Sequence, residues 1–152
     1  MPTRDPDCIF CKIVAREAPA SIVDEDDTTI AFLDIRPVNP GHTLVIPRSH
    51  AARLSGLPSR QGGEAFAAAM RVAAAIRSSG IRCEGINLYL ADGEAAGQEV
   101  DHVHLHVVPR FTGDGFGLRF GPQYGRIAAR AELDEMAAKI RRKMTTHGTN
   151  RF

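Results

Sequence analysis

The chain is short of the features that would direct it to nucleic acid, to a membrane or to an oxidising compartment. Its 19 Lys and Arg face 18 Asp and Glu, a net charge of +1, so no electrostatic argument favours a nucleic acid or a charged bilayer as partner. No apolar run approaches the roughly 20 residues of a membrane span, and the N-terminal stretch lacks the basic and apolar blocks of a signal peptide. The expectation is a cytoplasmic protein. Only 3 cysteines occur in 152 residues, and Cys8 and Cys11 lie too close together to read as a disulfide framework in a chain of this size. Metal is the better explanation for that pair. With no internal repeat and no linker, the reading is one domain over 1–144 followed by a disordered tail over 145–152.

What is present centres on one stretch, Asp101-His102-Val103-His104-Leu105-His106-Val107-Val108-Pro109-Arg110. Alternation of His with aliphatic residues predicts a strand, with three imidazoles on one face and Val103, Leu105 and Val107 packed beneath. The chain holds 6 His. Random placement would give this spacing on the order of once in a thousand. A solvated polar face would be built from Thr, Lys, Glu and Ser rather than from one residue type repeated.

The other elements follow from periodicity and punctuation. Ile9, Phe10, Ile13 and Val14 fit one face of a short helix ended by Ala18-Pro19. Residues 21–24 and 28–33 read as two strands joined by an acidic hairpin turn, and His42 to Pro47 as a third strand after the Val38-Asn39-Pro40-Gly41 turn. A helix from Ser59, with Ser59 as its cap, runs to about Ser79 and turns Phe66, Ala69, Met70, Ala73 and Ile76 inward. Gly85 to Ala91 is a further strand, followed by a small-residue loop whose backbone amides can approach an anion. A Gly-rich, aromatic stretch over 111–125 reads as a surface loop, a flap or a flexible tail. The last helix, about Ala131 to Met144, turns Leu133, Met136, Ala137 and Ile140 inward, and its late Arg and Lys residues suit the helix dipole.

A row of neutral imidazoles can divide attack, orientation and protonation of a leaving group. If His104 attacks phosphorus, His106 and loop amides around Gly97 to Glu99 can neutralise the phosphoryl oxygens. His102 is then free to join Cys8, Cys11 and His50 on a structural zinc. The rival is a catalytic metal held by His102, His104 and His106, or by two of them plus His50; two of the three can share an ion. Along an extended strand, however, the alpha carbons of 102 and 106 lie about 13 to 14 Å apart, too far for all three rings to converge on one ion.

These residues resemble the histidine triad superfamily of nucleotide hydrolases and transferases. The likeness runs through Cys8-Ile9-Phe10-Cys11-Lys12-Ile13, Phe32-Leu33-Asp34-Ile35-Arg36-Pro37, Pro40-Gly41-His42, Ile46-Pro47-Arg48-Ser49-His50, Gly97-Gln98 and the triad. The resemblance implies an α+β fold with two main helices and a five-stranded antiparallel sheet, continued across a homodimer. It implies cleavage at the α-phosphate of an adenosine or guanosine phosphoramidate or dinucleoside polyphosphate through a nucleotidyl-histidine intermediate. His104 matches the nucleophile and His106 the residue that contacts phosphate and assists the leaving group. Asp34 matches the ribose-binding position; Ile9, Phe10, Ile13, Phe32 and Ile35 match the apolar slot for the base, and Gly97, Gln98 and Glu99 the phosphate loop. Cys8, Cys11, His50 and His102 match a structural zinc site, and no organic cofactor is implied. Ala91 stands where many members have an amide side chain and Glu99 where many have Ser or Thr, which implies weaker phosphate binding or a different leaving group. The alternative is a catalytically weak nucleotide-binding or sensing protein.

Overall fold

The computed structural model describes residues 3–144; the expected tail over 145–152 lies outside them. The architecture is α+β. Five strands, β1 (Ile22–Glu25), β2 (Thr29–Leu33), β3 (Thr43–Pro47), β4 (Gly85–Leu90) and β5 (Leu105–Arg110), form one antiparallel sheet in the order β1-β2-β3-β5-β4. Helices α1 (Ile9–Val14) and α2 (Ser59–Ser78) belong with the sheet to the first of two compact units, Met1–Phe116, and α3 (Arg130–Met144) to the second, Gly117–Phe152.

Strand alternation divides the first unit's core in two. Ala31, Val45 and Val107 turn to one face and meet Ala65, Ala68, Ala69, Val72 and Ile76 of α2. Ile30, Phe32, Leu44 and Ile46 turn to the other and meet Phe10 and Ile13 of α1. The α2 contact is made largely by alanines, so the helix backbone can approach the sheet closely. Phe66 and Met70, expected inward, are 50% and 59% exposed; the buried stripe runs one position earlier, where small side chains fit. The expected Ser59 cap is also absent, since Pro58 occupies the cap position with no side-chain hydrogen bond.

Two other boundaries differ from expectation for local reasons. Helix α1 ends at Val14 because Arg16 enters the left-handed region at φ 63, three residues before Pro19. Strand β5 begins only at Leu105. Ahead of it, the His102 amide bonds the Val100 carbonyl and the Val103 amide bonds the Ala51 carbonyl, which diverts the backbone from the sheet ladder. The acidic hairpin turn is held by Asp26, whose Oδ1 accepts the amides of Thr28 and Thr29 at 2.9 and 2.8 Å.

At the end of β5, Asp114 accepts from Arg110 Nε at 2.6 Å and from Asn39 Nδ2 at 2.9 Å, and Arg110 also bonds the Phe116 carbonyl. Residues 111–116 of the Gly-rich stretch are thereby tied down. In the second unit, Phe120 and Tyr124 stack at 3.7 Å. The stripe of α3 expected inward is not buried: Leu133 and Met136 are nearly half exposed and Ile140 more so. That unit has no second regular element among the described residues to cover it. No helix among them is long and apolar enough to cross a membrane.

Gly41 sets the entry to β3. Its φ is +94, and a Cβ there would lie 3.2 to 3.3 Å from Ile81 and Pro109 side-chain atoms. Gly41→Ala is expected to lower the unfolding free energy by about 1–2 kcal/mol in urea titrations, from left-handed strain plus crowding.

Candidate functional site

Sheet register assembles the site on the α1 face. In β5, Leu105 and Val107 face α2, so His106 faces the opposite way, paired in register with Leu44 of β3 and Tyr89 of β4. Tyr89 stacks on the His106 ring at 4.1 Å and 11°. Just before the strand, His104 lies 4.9 Å from His106 between ring centroids and meets Phe10 edge-on at 5.3 Å. His102 also meets Phe10 edge-on, at 5.9 Å, and is fully buried. The three imidazoles thus share a side, although only the last belongs to the strand.

Backbone groups dictate which nitrogen of each ring carries hydrogen. A carbonyl only accepts, so His104 Nδ1–H donates to the His102 carbonyl at 2.7 Å, which leaves Nε2 with a lone pair in the neutral ring. The same logic makes His102 Nε2–H donate to the Pro47 carbonyl at 2.8 Å. His42 Nδ1 accepts the Val38 amide at 3.1 Å, so its Nε2–H donates to His106 Nδ1 at 2.9 Å, and the remaining hydrogen of neutral His106 lies on Nε2. Asp34 reaches His42 Nε2 at 3.7 Å, and its amide bonds the His42 carbonyl.

Burial favours the neutral form of His106 and His42. His106 is pushed down to about 4, first by burial, then by His104 and His42, against the opposing pull of Asp34. His42 is lowered by burial, again against Asp34. Burial raises the Tyr89 phenol, and the carboxylates of Asp34 and Glu99 add to the effect.

A cavity of about 770 Å³ opens onto these groups, a size suited to a small ligand. Ile9, Phe10, Ile13, Phe32 and Leu44 line its apolar part, while Asp34, His42, His104, His106, Tyr89, Arg36 and Glu99 supply the polar groups. Ile35 is at the mouth, 93% exposed. Gly97 and Glu99 line the cavity as well, with Ala91 beside them. Gln98 turns inward instead: its Oε1 accepts the Gly93 amide at 2.7 Å and its Nε2 donates to the Ala52 and Val100 carbonyls at 2.8 and 2.9 Å. The Gly97 and Gln98 amides are committed to Glu94 and Gly93 carbonyls, which closes the loop on itself. Sequence reasoning passed over His42, Tyr89 and Arg36 as site residues. The signal for His42 and Tyr89 was available in strand alternation, once the neighbours of β5 were known.

A second cluster lies behind the first. One donor atom each from Cys8, Cys11, His50 and His102 fall within 4.8 Å of one another. His102 Nδ1 is 3.5 Å from Cys8 Sγ and 3.7 Å from Cys11 Sγ, and His50 Nδ1 is 3.5 Å from Cys11 Sγ. Two thiols and two imidazoles suit a tetrahedral zinc, and the Pro47 carbonyl on the far nitrogen of His102 is the kind of support that orients a ligand. Burial raises the Cys8 thiol, a penalty that a cation would offset. Asp34, His42 and His106 form another group with metal-compatible spacing, but the internal hydrogen bond between its two imidazoles occupies donor atoms that a metal would need.

The α+β fold and a pocket lined by His42, His104 and His106, with His102 behind it, are of the histidine triad type, and the comparisons agree. The HIT domain family model matches residues 15–113. An uncharacterised HIT-like protein of Borreliella burgdorferi is 46% identical over 116 residues, covering 76% of this chain and 84% of that protein. Adenosine 5′-monophosphoramidase of Saccharomyces cerevisiae is 40% identical over 108 residues, covering 71% of this chain and 65% of that protein. The crystal structure of a Zn-bound histidine triad family protein from Mycobacterium smegmatis aligns with a TM-score of 0.71 at 42% identity, over 88% of this chain and 97% of that one. The chain belongs to the HIT family.

The lowered pKa of His106 has a consequence for stability. Between 6.5 and about 4 the unfolded ring binds a proton that the folded ring refuses, so the contribution is complete above 6.5 and is lost as pH falls through that window. In a histidine NMR titration, His106 is expected to stay neutral until pH approaches about 4. Protonation near 6.5 would refute the burial argument.

Proposed function

We propose that the chain is a nucleotide hydrolase that cleaves at the α-phosphate of a nucleoside phosphoramidate or dinucleoside polyphosphate through a covalent intermediate on His104. The observation that carries this reading is the hydrogen bond from His104 Nδ1 to the His102 carbonyl, which leaves Nε2 unprotonated in a ring that lines the cavity. Nucleophilic attack needs that lone pair. The relative named adenosine 5′-monophosphoramidase supports the substrate class.

In this reading the base enters the apolar part among Ile9, Phe10, Ile13, Phe32 and Ile35, and Asp34 accepts from the ribose hydroxyls. As the His104 Nε2–phosphorus bond forms, the leaving atom departs with the pair of the bond that breaks, and water then opens the intermediate to release the nucleoside monophosphate. His106 Nε2–H donates to the phosphoryl or leaving atom. His42 acts through His106, by fixing which nitrogen holds that hydrogen. Gly97 and Glu99 border the phosphate, and Gln98 contributes by holding their loop.

We assign a structural zinc to Cys8, Cys11, His50 and His102. It would tie α1, which carries Phe10, to the residue whose carbonyl orients His104. A homodimer through the open edge of β4 would also cover the exposed Phe66 and Met70 of α2.

Incubation with adenosine and guanosine phosphoramidates and dinucleoside polyphosphates, followed by intact-protein mass spectrometry, tests the main reading. A nucleotidyl adduct and turnover are expected, with both absent in His104→Asn. Turnover in that variant would overturn the covalent route, and tight nucleotide binding with no turnover by the wild type would make the protein a sensor. For zinc, elemental analysis is expected to find about one ion per chain, lost in Cys11→Ser together with thermal stability. Equal metal content in the two proteins would refute the site.

A further inference from the structure

The mouth of the cavity carries an ion pair that the proposed attack does not use. Arg36, in the turn after β2, donates through Nη2 to Glu99 Oε2 at 2.9 Å, across a sequence separation of 63. Both side chains line the cavity, and they are 80% and 74% exposed. An ion pair this wet adds little to stability. Its partners are therefore exchangeable, and a charged ligand can replace either one.

Glu99 shares the cavity lining with Tyr89, His104 and His106, and the Tyr89 ring is stacked on His106. The charged residues of the lining are two carboxylates, Asp34 and Glu99, against the one guanidinium of Arg36. A polyphosphate leaving group brings several negative charges into that field. An amine with a distal ammonium brings a positive charge to Glu99, and Arg36, once displaced, is free to turn to the phosphoryl oxygens.

Resting on the nucleotidyl-transfer reading above, we propose that Glu99 selects the leaving group: the site takes nucleoside phosphoramidates of cationic amines in preference to polyphosphates. The His104 Nε2–phosphorus bond forms as the phosphorus–nitrogen bond breaks. The nitrogen leaves with the bonding pair and takes a proton originating in water, whose hydroxide ends on phosphorus when the intermediate is opened.

Three adenosine 5′-phosphoramidates that differ only in the amine test this: 3-aminopropylamine, butylamine and β-alanine, with cationic, neutral and anionic tails. Wild-type kcat/KM is expected to fall in that order, and the cation-to-anion ratio to shrink by about 5-fold or more in Glu99→Gln. An unchanged ratio in the variant overturns the selection while leaving the transfer reading standing. Diadenosine tetraphosphate is assayed beside them and is expected to be turned over more slowly than the cationic compound; if the wild type cleaves it but none of the three, the selection is overturned and the transfer reading stands. If the wild type cleaves none of the four, the transfer reading fails, and the dissociation constants of the three phosphoramidates decide the selection: the same ordering, weakened in Glu99→Gln, supports it, and equal affinities or no binding refute it.

Discussion

The hydrogen bond from His104 Nδ1 to the His102 carbonyl is the interaction on which the rest of the site depends. An imidazole free to choose its tautomer presents a lone pair at Nε2 only part of the time. Here the choice is made by a backbone oxygen, and that oxygen is itself fixed because His102 is buried, bonded at Nε2 to Pro47 and placed against the two thiols. The order of the polar groups therefore runs outward from the N-terminus: the thiols and His50 position His102, His102 positions His104, and only His104 meets the cavity.

His106 is governed by a parallel but independent arrangement. Its tautomer descends from the Val38 amide through His42, and its ring plane is fixed by stacking on Tyr89. Two chains of hydrogen bonds thus end in opposite polarity at neighbouring rings, a lone pair at His104 and an N–H at His106. Burial keeps His106 neutral, so its N–H is placed by the hydrogen-bond geometry and not by a positive charge on that ring. Such pre-set donors and acceptors need no reorganisation when a substrate arrives.

Much of this was legible in the sequence because it is periodic or closely spaced. The alternation at 102–107, the paired thiols and the acidic hairpin each announce themselves within a few residues; the five-stranded sheet is implied by the family resemblance, and His50 and His102, 39 and 91 residues from Cys11, enter the metal-compatible set only as candidates. What escaped depends on cross-strand register. His42 resembles any residue at the start of a strand until β3 is set beside β5, and Tyr89 resembles any aromatic of an edge strand until it is paired with His106. Phe66 and Met70 misled in the opposite sense: helical spacing marks two adjacent stripes in α2, and hydrophobicity chose the larger residues, whereas close packing on the sheet chose alanine. In β5, alternation continued in the sequence beyond the point where pairing stops, because the turn that presents His102 to the thiols cannot also form a ladder.

The division between buried and exposed parts of the site bears on how its specificity can vary. Replacing His42 or His102 would leave buried polar atoms without partners, a penalty of about 1–3 kcal/mol for each group. Replacing Arg36 or Glu99 disturbs only a solvated pair. The rim can therefore change its charge with little effect on folding, while the buried histidines hold their hydrogen-bond geometry constant. Under the proposed selection by Glu99, leaving-group preference would be set where substitution is cheapest, at the mouth, and proteins with the same buried hydrogen-bond chains could diverge in substrate through a few exposed residues alone.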